Sequence, residues 1–437
     1  MTGERAALNI LLKVTQEDAY LNLELKNGFF EVREEDIPRL TALVYTAVEK
    51  LSYCDYFIER FAKGRLHSSV RGILRLALTE LFFMNTPGYA VCSKYVALTG
   101  EIGKAKLKGY VNGVLRNIIK CRENGSLPEL PADFLGRQAV LSGYPSFIIK
   151  EYARKYGEEF TAKLLEGRVL DNSLRAVRPF TGDELIKKLS DMGVSARKSA
   201  LVKDGVLVDS LNREIIGGEL FSSGKITVQS ESAMLACVCL DPRLGERVLD
   251  ACAAPGGKTA YLYELAGGGA DITAWDVHPH RVELIKNTLN RLHVSGVNAS
   301  VHDASVPDEE LYEGFDKILC DVPCSGLGGG SKPDARLRRT EESILELSKL
   351  QYSILDACSK YLKKGGSLVY STCTVSEREN ELVVSRFIKE HDDFELEPFD
   401  EKLPEHLRDR AKGGMLQLFP NVDGTEGFFI ARIRRKG

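Results

Sequence analysis

Nowhere in these 437 residues does an uninterrupted run of about 18 apolar residues occur, so no segment reads as a membrane-spanning helix. The opening MTGERAALNI also lacks the apolar core and small-residue cleavage site of a secretory leader, so the cytoplasm is the expected location. No two cysteines stand in C-x-x-C spacing: the closest pairs are Cys237 with Cys239 and Cys320 with Cys324. The ten cysteines are therefore read as reduced thiols, without a disulfide framework, and no metal is expected. Most such thiols are simply small buried apolar groups, and a catalytic reading has to overcome that default. Low-complexity tracts, repeats and a G-x-G-x-x-G dinucleotide fingerprint are missing too.

What is present is enough chain for two to three domains, each with its own core. The net charge of -3 hides an asymmetry. Residues 60–125 hold twelve Lys or Arg against three Asp or Glu, so an excess of nine positive charges there leaves -12 for the rest. A solvated helical face is the plain alternative, but a concentration of this size is the footprint of a polyanion-binding surface.

Three regions follow from the patterning. Apolar residues recur at helical spacing at Leu40, Leu43, Val44, Ala47 and Leu51, and again at Val70, Ile73, Leu74, Ala77 and Leu81. Residues 1–126 therefore read as an all-α bundle, broken at Pro87-Gly88 and closed by the linker ENGSLPELPAD. A small mixed α+β domain is expected over 137–222. From 223 to 437 short apolar strands alternate with helices: RVLDAC, ITAWDV, KILCDV and SLVYSTC each precede a helical stretch. That alternation predicts an α/β doubly wound, Rossmann-like sheet, whose ligands bind outside the carboxyl ends of the strands.

The strand ends carry the chemistry. The first opens into Asp250-Ala-Cys252-Ala253-Ala254-Pro255-Gly256-Gly257-Lys258-Thr259, a loop of small residues that lets backbone approach a ligand before a helix begins. A phosphate-binding P-loop would need glycine where Cys252 stands. Asp276 ends the second strand, where a carboxylate can accept both ribose hydroxyls, and Asp303 follows the third, placed for an adenine edge. Singly each aspartate reads as a helix cap or turn residue; jointly they suit an adenosyl ligand. Two thiols, Cys324 in Asp321-Val-Pro-Cys and Cys373 in Ser-Thr-Cys, fall just past the fourth and fifth strands. A core cysteine would sit within a strand, as Cys320 is expected to; one past the end sits where ligands bind.

The series DACAAPGGKT, AWDVHPHR, DVPCSG, YSTCTV with Glu379-Asn380, and GTEGFFIARI resembles the motifs of the Nop/Sun family of RNA 5-methylcytosine methyltransferases. KGYVNGVLRNI, from Lys108 to Ile118, resembles the NusB-type RNA-binding fold. The pairing implies a bacterial enzyme that methylates a cytosine of 16S ribosomal RNA, free or in an early small-subunit particle. It implies S-adenosylmethionine as cofactor, held by Cys252 to Lys258, Asp276, Asp303 and Asp321. It also implies Cys373 as covalent nucleophile, Cys324 as the thiol that assists release, and Asp321 and Lys258 on the polar edges of the base. Without the resemblance the choice of thiol stays open, since DNA cytosine methyltransferases attack with a Pro-Cys thiol. On chemical grounds alone, Lys258 only offsets Asp321.

Gln229 matches the family's segment before the donor loop, and an ordering task suits it better than chemistry. Arg175-Ala-Val177-Arg178 stands where relatives carry R-V-N. Lys332, Arg336, Arg338 and Arg339 offer phosphate grips, or else a solvated loop. Two rival functions remain: a non-catalytic RNA-binding protein with a vestigial sheet, and a nicotinamide-dependent dehydrogenase, which the missing glycine fingerprint disfavours.

Overall fold

The computed structural model describes residues 2–166, 171–209, 211–329 and 333–437. The chain divides into two compact units, one of residues 1–167 with 331–340 and one of 168–330 with 341–437.

The first unit is helical. Helices Ile37–Glu49 and Ser68–Phe83 bury the stripes read from periodicity, and Leu43, Val44, Ile73, Leu74 and Ala77 join Leu8, Leu11 and Leu115 in one core. Pro87 lies outside the helices, ahead of Gly88–Glu101. Among the apolar side chains Glu80 is completely buried, held by Lys94 and Arg39 at 2.9 Å each, so its charge is compensated where water is absent. Three further helices, Phe134–Ser142, Ser146–Tyr156 and Glu158–Leu165, belong to the same unit.

Part of this unit comes from far along the chain. Asp334 accepts from the backbone N–H of Leu21, at the start of helix Leu21–Phe29, which has no side-chain cap of its own. Arg338 donates to Asp334 and to the Ala19 carbonyl and lies over the Tyr20 ring; Arg336 donates to the Ser142 carbonyl and lies over Tyr144. Both guanidinium groups thus serve internal packing, which corrects their reading as phosphate grips. Lys332 lies outside the described residues.

The second unit holds two sheets. Strands β1 (Asn172–Ala176), β2 (Ala196–Lys198), β3 (Gly205–Val208) and β4 (Ile226–Val228) form an antiparallel sheet in the order β2-β3-β1-β4. Helix Gly182–Asp191 covers it, begun by a capping box of Thr181 and Glu184.

The larger sheet contains β5 (Arg247–Asp250), β6 (Asp271–Asp276), β7 (Asn298–Val301), β8 (Phe315–Asp321), β9 (Leu362–Thr372), β10 (Phe394–Leu396), β11 (Met415–Leu418) and β12 (Phe428–Arg435). The order is β10-β12-β9-β8-β5-β6-β7, with β11 also on β12. The strands β5 to β9 run parallel, as the alternation predicts, while β10, β11 and β12 pair antiparallel at one side. Neighbouring residues feed opposite cores: Val248, Leu319 and Val369 face one layer, and Leu249, Cys320 and Tyr370 the other. Burial on both faces is why these strands read as unbroken apolar runs. From β5 the chain winds one way to β6 and β7, then returns to the other side for β8 and β9. Such a reversal opens a crevice at the carboxyl ends of β5 and its neighbours.

Candidate functional site

The small-residue loop at the end of β5, the donor loop of the expected methyltransferase, is held from both sides. Ala251 N–H donates to Leu319 on β8 at 2.9 Å, and Ala253 N–H to Trp275 on β6 at 2.7 Å. Gly256 has φ +103°, and a Cβ there would lie 3.1 Å from backbone of Ile285, so helix Pro279–Arg291 leaves room for glycine alone. Beneath the loop Asp250 is fully buried and accepts from Thr259 Oγ1 at 2.7 Å. Burial pushes its carboxyl up to about 6.

Lys258 Nζ lies 2.7 Å from Asp321 Oδ2, and Ser371 Oγ on β9 donates to Asp321 Oδ1 at 2.7 Å. Burial opposes the Lys258 charge, but Asp321 outweighs it and holds the ammonium above its ordinary range. The loop's one cation is thus neutralised, so the crevice presents uncharged backbone and carboxylates. That donor set fits a cationic adenosyl sulfonium and offers nothing to a pyrophosphate. Asp276 Oδ1 accepts from His278 N–H at 3.0 Å, and Oδ2 lies 3.7 Å from Arg281. Asp303 Oδ1 takes two bonds from Ser305, which hold its carboxyl below the ordinary range. Both aspartates therefore do make local turns, at the strand ends where they were expected.

The two thiols meet. Cys324 follows β8 and Cys373 follows β9, the strands are parallel neighbours, and the sulfurs stand 2.9 Å apart. Cys373 N–H points at Cys324 Sγ at 3.2 Å. The Cys373 sulfur, and after it burial, push the Cys324 thiol well up. All ten cysteines are free, and Cys320 is buried within its strand, away from solvent.

Sequence reasoning gave Gln229 an ordering task but missed the partners that stand behind it. Arg175 on β1 is completely buried, donates to Gln229 Oε1 at 2.8 Å, pairs with Glu264 at 2.5 Å and lies over the Tyr261 ring. Arg178 and Tyr261 share Asp204. The small sheet is thereby fastened to helix Gly257–Leu265, which starts at the donor loop. The signal was slight: Arg175 stands between Leu174 and Ala176 in a strand that opens with Asn172 and Ser173. Among the described residues no three His, Cys, Asp or Glu side chains converge as a metal site.

A second candidate surface lies on the first unit. Of its twelve basic residues over 60–125, Arg71 and Arg75 pair with Asp55 and Lys94 with Glu80. Among the described residues Lys63, Arg65, Lys106, Lys108, Arg116 and Lys120 are exposed and appear in no ion pair. Tyr110, on helix Lys108–Glu123, donates to the Lys63 carbonyl at 3.0 Å and brings two of these basic segments together.

A doubly wound sheet with a glycine-kinked donor loop and acidic strand ends is the build of a Rossmann-like methyltransferase. The profile of the 16S rRNA methyltransferase RsmB/F family matches residues 237–434, and that of the NusB family residues 2–120. The chain is 35% identical over 448 residues to the probable ribosomal RNA small subunit methyltransferase B of Bacillus subtilis, covering 99% of this chain and 98% of that protein. A solved structure designated PH0851 superposes with a TM-score of 0.81 at 26% identity, covering 100% of this chain and 99% of that one. A methyltransferase homologue solved from Pyrococcus horikoshii gives 32% identity and a TM-score of 0.59, covering 70% of this chain and all of that one. The chain belongs to the RsmB/F family of 16S rRNA methyltransferases, with a NusB-family segment at its amino end.

Proposed function

We propose that this chain transfers a methyl group from S-adenosylmethionine to carbon 5 of a specific cytosine in 16S ribosomal RNA, through a covalent bond from Cys373 to carbon 6. The observation that carries the reading is the 2.9 Å approach of two thiols at adjacent strand mouths. When bound, S-adenosylmethionine supplies an electrophilic methyl group; the loop from Cys252 to Lys258 with Asp276, Asp303 and Asp321 would hold it.

Carbon 5 of cytosine is a weak nucleophile until the ring is activated. The Cys373 thiolate adds to carbon 6, the electron pair moves into the ring and nitrogen 3 takes a proton. Asp321 favours that protonation from the amino edge, and Lys258 takes another polar edge. Carbon 5, now enamine-like, forms its bond to the methyl carbon as the bond from that carbon to the sulfonium sulfur breaks, its electron pair staying on sulfur and leaving a neutral thioether. A base then removes the carbon 5 proton, that electron pair re-forms the carbon 5 to carbon 6 double bond, the carbon 6 to sulfur bond breaks with its pair going to Cys373, and nitrogen 3 gives up the proton it took.

The thiol pair supplies that base. Two sulfurs this close cannot both carry charge, so an ionised Cys373 keeps the proton on Cys324. Once Cys373 is bonded to carbon 6 it is neutral, and the main cause raising the Cys324 thiol disappears. Cys324 then gives its own proton to solvent, and the thiolate so formed takes the carbon 5 proton.

The functional division follows the sequence regions except in the middle one: 1–126 binds RNA and 223–437 performs the chemistry, while of 137–222 only the part from Asn172 onward, in the second unit, braces the donor loop. Lys63, Arg65 and Lys106 supply phosphate affinity, and the target base leaves its stack to reach the thiols. The substrate is 16S rRNA in the cytoplasm, free or in an early small-subunit particle.

Methyl transfer to unmodified 16S rRNA, followed with denaturing gels for protein–RNA adducts, tests the reading. Cys324→Ala is expected to accumulate adduct and Cys373→Ala to form none. The reverse pattern exchanges the two thiols. No transfer at all, with Cys373→Ala indistinguishable from the parent, supports a non-catalytic RNA-binding protein instead.

A further inference from the structure

Behind the thiols lies a polar cluster that the reaction itself does not use. Glu379, Asn380, Ser325, Gln351, Thr372 and Thr374 are all completely buried, so water cannot stand in for any partner they lose. Glu379 Oε1 accepts from Ser325 N–H at 2.8 Å and from Gln351 Nε2 at 3.0 Å, and the same Gln351 nitrogen donates to the Pro323 carbonyl at 2.9 Å. The backbone on both sides of Cys324 is thereby tied to one carboxylate.

Asn380 does the same for the other thiol. Its Oδ1 accepts from Thr372 Oγ1 at 2.5 Å, and its Nδ2 donates to the Thr374 carbonyl at 3.0 Å. Gln417 on β11 accepts from Asn380 at 2.8 Å and donates to the Thr374 carbonyl at 3.3 Å and the Phe428 carbonyl at 3.1 Å. Ser325 Oγ and Thr374 Oγ1, 3.1 Å apart, join the two loops directly.

We infer that the consecutive residues Glu379 and Asn380 form a bracket that sets the spacing of the thiols, Glu379 as the positioning residue of Cys324 and Asn380 as that of Cys373. One peptide bond joins the two anchors and fixes the distance between the loops, while each loop keeps its own set of hydrogen bonds and answers to its own anchor. The Glu379 charge also contributes to holding the Cys324 thiol up. A displacement of about 1 Å at a reacting group is enough to slow a step by ~100-fold.

This inference rests on the thiol assignment proposed above, and the test separates the two. Full-length enzyme is mixed with unmodified 16S rRNA and S-adenosylmethionine, and adduct formation and adduct decay are timed separately. Asn380→Ala and Gln417→Ala are expected to slow formation by ~10-fold to ~100-fold while leaving decay and the donor KM within about threefold. Glu379→Ala and Gln351→Ala are expected to form adduct normally and to slow its decay by a similar factor. Glu379→Gln, whose amide oxygen still accepts from Ser325, restores decay, with a pH profile moved to lower pH because the charge is gone. Gln351→Ala and Gln417→Ala each keep the bracket residue itself and carry the test if the buried substitutions fail to fold. Equal slowing of both steps by both sets, or of neither, overturns the bracket. If the Cys324→Ala and Cys373→Ala controls come out exchanged, the thiol assignment fails instead; the bracket then stands only if its two sets exchange effects as well.

Discussion

The first unit and the strand mouths of the second bury polar groups in opposite ways. Within the helical core Glu80 is a completely buried carboxylate held by two cations, Arg39 and Lys94, that also reach out to the part-exposed Glu4, and leucine, isoleucine and valine surround it. At the mouths of β5, β8 and β9 nearly every buried polar atom shares a partner with another: Asp321 serves both Lys258 and Ser371, and Glu379 serves both Ser325 and Gln351. A core of apolar volume tolerates change in proportion to the volume lost, whereas a shared network loses geometry as a whole. The first suits a platform that presents charge; the second suits a site that must hold two sulfurs in place.

That contrast is broken most forcefully at Lys258. Lys258→Met keeps the length of the side chain and leaves Asp321 without its ion partner. Methyl transfer should fall by ~100-fold or more while RNA binding by filter retention stays within twofold. An RNA affinity that fell equally would merge the two regions into one surface.

Next in size is the helical core. Leu74 is completely buried, and Leu74→Ala should cost about 3 kcal/mol of the first unit's stability in urea unfolding, with kcat at low temperature unchanged. A matching loss of kcat would show that the mouths depend on that core.

A smaller effect separates Asp250 from the other carboxylates by its pH dependence. Its folded-state value of about 6 lies above the ordinary 3.8, so the native state holds the proton more tightly than the unfolded chain does. Stability from this group is therefore greatest at low pH and is lost as pH rises from about 4 to about 6. Asp250→Asn, which keeps an acceptor for Thr259, should remove most of that decline. Chemical unfolding of both proteins at pH 4, 5, 6 and 7 measures it, and parallel curves would refute it.

The smallest effect is expected on the basic surface. Arg65→Glu or Lys106→Glu should weaken RNA binding a few-fold, reduce the slope of log affinity against log salt by about 1, and leave adduct decay unchanged. Arg336→Ala, by contrast, should leave the salt slope alone, because that guanidinium binds the Ser142 carbonyl and the Tyr144 ring.

These differences follow what the residues reveal locally. Helical stripes such as Leu40 to Ala47 and the loops after RVLDAC and KILCDV are legible because each is a matter of period or turn chemistry within a dozen residues. Arg175 was hardly legible, since its partner Glu264 lies 89 positions away and the mixed strand Asn172-Ser173-Leu174-Arg175-Ala176 does not say which side chains turn inward. The basic run just after the Pro-Cys motif misled for the same reason: composition reports charge, and only the fold reports that Arg336 and Arg338 are already engaged.

The sequence by itself therefore determined the alternation that makes a doubly wound sheet, the glycine loop at its first strand and two cysteines just past strand ends. Only the tertiary structure decided that β8 and β9 are neighbours, and so that Cys324 and Cys373 come within 2.9 Å over a separation of 49 residues. Local periodicity encodes which side of a strand a residue faces. Which strands lie side by side depends on how the whole apolar surface of both layers is best buried, and the site's distances follow from that.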